Sequence, residues 1–170
     1  MALLVLSVVG SDRPGLTRAL AAAVLEASGN WLESHLSRLG GLYVGSVLVD
    51  LDPDRIGNLS AAVRAVDAHG LEVRIVPARE TPVPSGEALQ LALVGQDRPG
   101  IVDTVTAALS ALGANIETFR TWISPEAHSG APLFNLTARL RLPAGLTADA
   151  VQTALEDISA EVMIDISAAG

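Results

Sequence analysis

Hydrophobic and polar positions follow the same order in the two halves of this chain. Each half opens on a short apolar run, and a segment follows in which apolar residues recur every three or four positions. Two β-rich stretches, a second amphipathic segment and a stretch of alternating apolar and polar residues complete the half. Recurrence near 3.6 residues predicts a helix, and strict alternation predicts a half-buried strand. The pattern therefore predicts strand, helix, strand, strand, helix and strand, twice over.

This element order is typical of the ferredoxin-like split unit, an antiparallel sheet with both helices on one face. Pro14 and Pro99 suit the first position of the first helix in each half, where the N–H that proline lacks is not needed. Gly29 and Gly113 are expected to end those helices, and Thr147 is a candidate cap for the last helix. The sequence thus predicts an α+β protein of two ferredoxin-like βαββαβ units, each with an antiparallel sheet and its helices on one face.

A motif repeats at a fixed offset between the halves. Its first residue is Gly10 in one copy and Gly95 in the other, and 95 − 10 = 85 is half of the 170 residues. Three prolines and a glycine in residues 77–86 are expected to interrupt regular structure between the copies. The predicted organisation is a domain over 1–77, a linker over 78–86 and a domain over 87–170. The two copies of the motif are Gly10-Ser11-Asp12-Arg13-Pro14-Gly15 and Gly95-Gln96-Asp97-Arg98-Pro99-Gly100.

Composition excludes several kinds of chemistry. Apolar residues make up 49% of the chain, enough for a packed core, but all eleven basic residues are arginine and there is no cysteine. Thiol nucleophiles, disulfides, cysteine metal clusters, Schiff-base lysines and the lysine of a phosphate-binding P-loop are therefore excluded. We expect neither a cofactor nor catalysis. The three histidines, His35, His69 and His128, share no ligand spacing, so no metal site is expected.

Charge and hydropathy limit the partners and the compartment. The net charge of −8 would repel phosphate backbones, so direct binding of nucleic acid is not expected. No apolar run approaches the roughly 20 residues that span a bilayer, which predicts no membrane partner and a cytoplasmic protein. The apolar residues 2–9 lack the basic start and the cleavage site of a signal peptide. They are expected to form a buried strand.

The loop before the first helix of each half has the chemistry of a binding site. N–H groups near Gly15 and Leu16, at the start of a helix, favour a small anion such as a carboxylate. Asp12 lies beside the same helix start, where its carboxylate could accept hydrogen bonds from an ammonium group. Together these groups complement a zwitterion. Asn30 could serve the same ligand if its strand borders the loop. The corresponding residues of the second half are Gly100, Ile101, Asp97 and Asn115.

A purely structural interpretation of the same residues stays open. An aspartate just before a helix is commonly a cap or an anion near the positive helix end, and an asparagine after glycine is commonly a turn residue. Duplication also copies structural residues. Asp12 and Asp97 could in principle form a carboxylate dyad of a small hydrolase, but an arginine follows each and the two loops are expected to lie apart.

The motif before the helix, with Asn30 or Asn115 opening the next strand, resembles the ACT domain, a regulatory module that commonly binds amino acids. The resemblance covers nearly the whole chain twice, and a pair of this length is most similar to the glycine cleavage system transcriptional repressor family. It implies a ligand between the first loop of one copy and the second strand of a paired copy. The site residues it implies are Gly10, Asp12, Gly15, Leu16, Asn30, Gly95, Asp97, Gly100, Ile101 and Asn115.

The resemblance also implies a mode of action and its alternatives. Such a protein would bind a small amino acid, glycine being one candidate, and would act on a protein partner such as a transcription regulator. A structural partner-binding module with vacant loops and a regulatory subunit of an amino-acid metabolic enzyme are the alternatives. The two copies are expected to pack as a pseudo-dimer, and strand edges left unpaired would favour a homodimer of whole chains.

Overall fold

A computed structural model describes residues 1–67, 70–79, 82, 85–158 and 162–169. Its first half has the predicted element order, with one short 3₁₀ turn at Pro53–Arg55 before the second helix. The expected buried strand at the start of the chain is confirmed, because alternate side chains of β1 lie in the core. The elements are β1 (Ala2–Ser11), α1 (Leu16–Glu26), β2 (Asn30–Leu39), β3 (Leu42–Leu51), α2 (Ile56–Asp67) and β4 (Leu71–Pro77).

The second half repeats this order and confirms the predicted fold class. Each half forms its own four-stranded antiparallel sheet, with strand order β2-β3-β1-β4 in the first and β6-β7-β5-β8 in the second. The fold is α+β, two ferredoxin-like units in tandem. The second set of elements is β5 (Ala88–Gln96), α3 (Ile101–Ala111), β6 (Asn115–Pro125), β7 (Pro132–Arg141), α4 (Ala148–Glu156) and β8 (Met163–Ala168).

Strand register shows which residues of the two halves correspond. Val8 of β1 lies opposite Gly45, and Leu93 of β5 lies opposite Leu136. The offset is 93 − 8 = 85 on the first strand but 136 − 45 = 91 on the third. The six additional residues fall in the connection between β6 and β7. Positions after this connection therefore correspond at an offset of 91.

Each unit has a core of its own between its sheet and its two helices. In the first unit Leu6 of β1, Leu20 of α1 and Leu59 of α2 are fully buried. Leu91, Leu109 and Leu155 are buried in the second unit. Burying each such side chain contributes roughly 1.5–3 kcal/mol. Contacts divide the chain into Met1–Thr81 and Pro82–Gly170, and the boundaries of the predicted linker remain a prediction, since four of its residues lie outside the described part.

Two predictions about helix ends were wrong in detail. Pro14 and Pro99 do not occupy the first helical position, because α1 begins at Leu16 and α3 at Ile101, each behind a glycine N-cap. The prolines lie in the turn before that cap. The end of α1 also differs from the prediction, since the left-handed residue after it is Ser28 rather than Gly29. Gly113 does take this position after α3, and Thr147 caps α4 as predicted.

Candidate functional site in the first loop

An open cleft of about 580 Å³ lies where the first strand passes into the first helix. It includes Asp12, Gly15 and Leu16, three of the residues singled out by sequence, together with Tyr43 from β3. The lining runs from the loop after β1 into the first turn of α1. Its full lining is Asp12, Arg13, Pro14, Gly15, Leu16, Thr17, Arg18 and Tyr43.

The helix start in this cleft offers backbone donors. Gly15 is the N-cap with φ +92°, and no described side chain accepts a hydrogen bond there. A Cβ at Gly15 would meet nothing within 4 Å, so its left-handed backbone rather than crowding explains the glycine. Leu16 is only 6% exposed, with its side chain in the core. Leu16 can therefore serve a ligand through its N–H alone, in the field of a helix N-terminus.

Asp12 lines the cleft and is paired with an arginine. The Nε atom of Arg38, near the end of β2, is 3.0 Å from the Asp12 Oδ2 atom, and the aspartate side chain is 36% exposed. An exposed ion pair of this kind is worth about 0–1 kcal/mol. The pair is weak enough for a ligand ammonium group to compete for the Asp12 carboxylate.

Two hydroxyl groups also line the cleft, and together with Arg38 they form what we call the polar wall. The Oγ1 atom of Thr17 and the phenol oxygen of Tyr43 are 2.6 Å apart. Sequence reasoning missed Tyr43, Thr17 and Arg38. Tyr43 is the single tyrosine of the chain, and it lies opposite Gly10 across the sheet. That cross-strand register, which periodicity does not reveal, brings it to the loop.

The corresponding loop of the second unit has apolar surroundings. Thr17 corresponds to Val102 and Arg38 to Ile123 at the offset of 85, and Tyr43 corresponds to Phe134 at the offset of 91. Val102 and Ile123 are 40% and 54% exposed, and Phe134 is buried. Gly100 still caps the helix with φ +86°, and Ile101 is buried like Leu16. The backbone of the site and its aspartate are thus repeated, whereas Thr17, Arg38 and Tyr43 have apolar counterparts.

The predicted asparagines lie at the other end of each sheet. Asn30 of β2 lies opposite Asp50 of β3, and Asp50 lies opposite Leu3, near the start of β1. Asp12 follows Ser11, the last residue of β1. Eight residues at about 3.3 Å each separate the two ends by roughly 26 Å. Asn115 and Asp97 are placed likewise in the second unit. One unit alone does not bring an asparagine to its own loop, so a shared site would need two copies.

Gly10 is explained by packing within its own unit. A Cβ there would approach the carbonyl oxygen of Gly70 to 2.3 Å and the Cα of Leu71 to 2.8 Å. Glycine at this position lets β4 pair closely with β1. Gly95, its counterpart, is buried in β5.

A charged cluster lies away from both loops, on β6 and β7. The Glu117 carboxylate accepts hydrogen bonds from Arg141 Nε at 2.8 Å and Arg139 Nε at 3.0 Å. The hydrogen bond from Arg141, more than any other interaction, holds the pKa of Glu117 below its usual 4.5, and Arg139 acts in the same direction. Desolvation opposes them without reversing the shift.

A metal ion would need a group of histidine or acidic side chains placed to bind it. Within the described ranges, no three histidine or acidic side chains come together for this. His69 lies outside those ranges. None of the helices that the structure describes has the length and apolar character needed to cross a membrane.

The first unit is similar to a known domain family. Residues 2–76 match the family model of the ACT domain. The structure is similar to that of an unknown protein from Galdieria sulphuraria, with 31% identity over 99% of both chains and a TM-score of 0.86. It is also similar to a "putative glycine cleavage system transcriptional repressor", with 14% identity over 99% of this chain and 98% of that one and a TM-score of 0.70. No curated protein matches the sequence.

Proposed function

Because residues 2–76 belong to the ACT-domain family and the whole chain has an ACT-type tandem fold, we propose that this protein is a non-catalytic regulator that binds a small amino acid. In the proposal it acts in the cytoplasm on a protein partner, such as a transcription regulator. Glycine is one candidate effector. A homodimer of whole chains belongs to the same proposal.

The observation that carries the proposal is the cleft of the first unit. The first turn of α1 lines the cleft and has no side-chain cap, and Asp12 lines the same cleft. An amino acid brings a carboxylate for the helix start and an ammonium group for Asp12, so both of its charges find a partner. The Thr17 and Tyr43 hydroxyls can form hydrogen bonds with the side chain of the amino acid or with a bridging water.

Regulation follows from linkage. An effector that binds one arrangement of the protein better than another shifts the population toward that arrangement. The affinity for a partner that also distinguishes these arrangements changes by the same coupling free energy, typically 1–3 kcal/mol. No bond in the effector needs to be broken in this mechanism.

The experiment is a thermal-shift screen, followed by titration calorimetry, with glycine, serine, and branched and aromatic amino acids. A ligand at 100 times its dissociation constant adds about 2.7 kcal/mol of stability, which raises the melting temperature visibly. If no amino acid at millimolar concentration moves the transition, the effector proposal is wrong and a structural partner-binding module is favoured.

Variants then locate the site. Asp12→Ala should weaken binding about tenfold or more, because it removes the partner of the ammonium group. Tyr43→Phe gives the first cleft the residue of the second unit and should weaken binding less. Asp97→Ala is the matched control in the second loop, where the polar wall is missing. Equal affinities of all three variants and the wild type would contradict the zwitterion site.

A second candidate, a regulatory subunit of an amino-acid metabolic enzyme, is favoured by the exposed apolar residues Val102 and Ile123 beside the second loop. Such residues suit a protein partner more than a small polar ligand. Val102→Asp and Ile123→Asp would then abolish co-purification of the enzyme while leaving amino-acid binding intact. Co-purification of a transcription regulator instead would support the first candidate.

A further inference from the structure

Each sheet has one face covered by its own helices and one face without them. In β1 the residues Leu4, Leu6 and Val8 are buried against the helices. Because side chains alternate along a strand, Leu3 and Val5 point to the opposite side. We name the helix-free side of the first sheet the N face and that of the second sheet the C face.

The N face has an apolar centre. Leu3 and Val5 of β1, Leu48 of β3 and Val76 of β4 are all partly exposed there. The solvent-exposed face of a sheet normally carries polar side chains. Strands with apolar side chains on both faces are typical of a sheet that is covered on both faces. The N face therefore has the character of a surface that another layer covers.

The charges on the N face are mainly negative. Glu33, Asp50 and Glu72 lie on it with Arg74, each opposite an outward residue of the neighbouring strand. With three carboxylates and one guanidinium, the face carries a net charge of −2. One carboxylate oxygen of Asp50 is buried and has no hydrogen-bond partner among the described residues, an uncommon state for such an atom.

The C face has the opposite character. Arg120, Arg139 and Arg141 lie on it with Glu117 and Asp165, which gives three guanidinium groups against two carboxylates and a net charge of +1. Arg120 stacks over Trp122, 5.4 Å from the ring centroid. A cationic face is notable in a chain whose net charge is −8.

Charge is reversed at corresponding positions of the two faces. Asp50 and Arg141 both lie opposite the asparagine that opens the neighbouring edge strand. Arg74 and Asp165 lie opposite Ser7 and Ala92, which correspond at the offset of 85. Each face would therefore repel a second copy of itself and attract the other face.

We propose that the N face of one chain packs on the C face of a second copy of this chain, an inference that rests on the homodimer of the proposed function. A four-stranded face of seven-residue strands measures about 19 by 23 Å, or roughly 440 Å². One contact buries two such faces, about 900 Å², which is below the size of a stable interface. A two-fold axis lets a pair of chains make the contact twice, which brings the total to about 1,800 Å², a standard size. The occupant is thus a second copy, and the assembly is a closed dimer.

The test uses analytical ultracentrifugation of the full chain without any amino acid, so that its outcome is independent of the proposed effector. Glu33→Arg takes the net charge of the N face from −2 to 0, and Arg120→Glu takes that of the C face from +1 to −1. Each change removes the charge complementarity and should weaken dimerisation about tenfold or more. Raising the salt concentration from about 0.05 to 0.5 M should also weaken the dimer.

Matched controls change the same charges on the helix side of the first unit. Glu26→Arg and Arg64→Glu are exposed helix substitutions and should leave the dimer unchanged. A chain that is monomeric at every concentration would overturn the proposal. So would a dimer indifferent to the face variants, which indicates pairing through sheet edges. The melting curve of each variant is measured as well, so that a variant that has lost dimerisation is distinguished from one that has unfolded.

Discussion

At the scale of single residues, the two units end their first helix with different residues at the same left-handed position. Ser28 and Gly113 hold corresponding left-handed positions, with φ +59° and +71°. The turn is otherwise the same, since Gly29 N–H donates to the Val24 carbonyl at 2.9 Å and Ala114 N–H donates to the Leu109 carbonyl at 3.1 Å. A serine has a Cβ that this backbone conformation disfavours. The first unit therefore holds a strained residue where the second has none.

Ser28→Gly is expected to stabilise the first unit by about 0.5–1 kcal/mol, because it removes this strain at a modest entropic cost in the unfolded chain. The matched change Gly113→Ala should destabilise the second unit by about 1 kcal/mol. Urea unfolding midpoints measure both. If Ser28→Gly proved destabilising, the serine side chain would have a role that the turn geometry does not show.

At the scale of elements, the second strand of each unit is a bulged edge strand. The register shifts between Trp31 and Glu33 in β2 and between Ile116 and Thr118 in β6. The bulged residue is Leu32 in the first unit and Glu117 in the second, where it joins the arginines of β7. The same backbone irregularity thus presents an apolar side chain in one sheet and an ion-paired side chain in the other.

The Glu117 cluster predicts a pH dependence with a definite sign. The pKa of Glu117 in the folded chain is lowered, chiefly by the hydrogen bond from Arg141. Its stabilising contribution is therefore complete above the unfolded-state pKa, usually 4.5, and is lost as pH falls through the lower folded-state value. Glu117→Gln should lower stability near pH 7 and flatten its decline below pH 4.5, as seen in urea unfolding at several pH values. An unchanged acid profile would contradict this role.

At the scale of the whole molecule, stability comes from two separate cores. Every side chain in the first core belongs to residues 4–75 and every one in the second to residues 89–166. A cavity made in one core should therefore lower the stability of the unit that contains it and leave the stability of the other unit unchanged. The local loop sites, which sit on the first turn of α1 and α3, depend on these cores through the buried Leu16 and Ile101.

Leu20→Ala is expected to destabilise the first unit by about 2–5 kcal/mol, because it removes a fully buried side chain and leaves a cavity. Hydrogen exchange should show faster exchange in β1, β3 and α1 while the strands of the second unit keep their protection. Leu109→Ala, equally buried in the second unit, is the reciprocal variant. Equal loss of protection in both units from either substitution would show that they unfold as one.

The sequence by itself determined the elements, their order and the duplication, because hydrophobic period, helix-capping residues and a repeated motif are local properties. It also located the first loop, since Asp12 and Gly15 belong to one short motif just before the helix. Only the tertiary structure brought Tyr43, Thr17 and Arg38 to that loop, separated Asn30 from Asp12 within one unit, and placed opposite charges on the two sheet faces. Those relations depend on strand register between residues far apart in the chain, which no local pattern specifies.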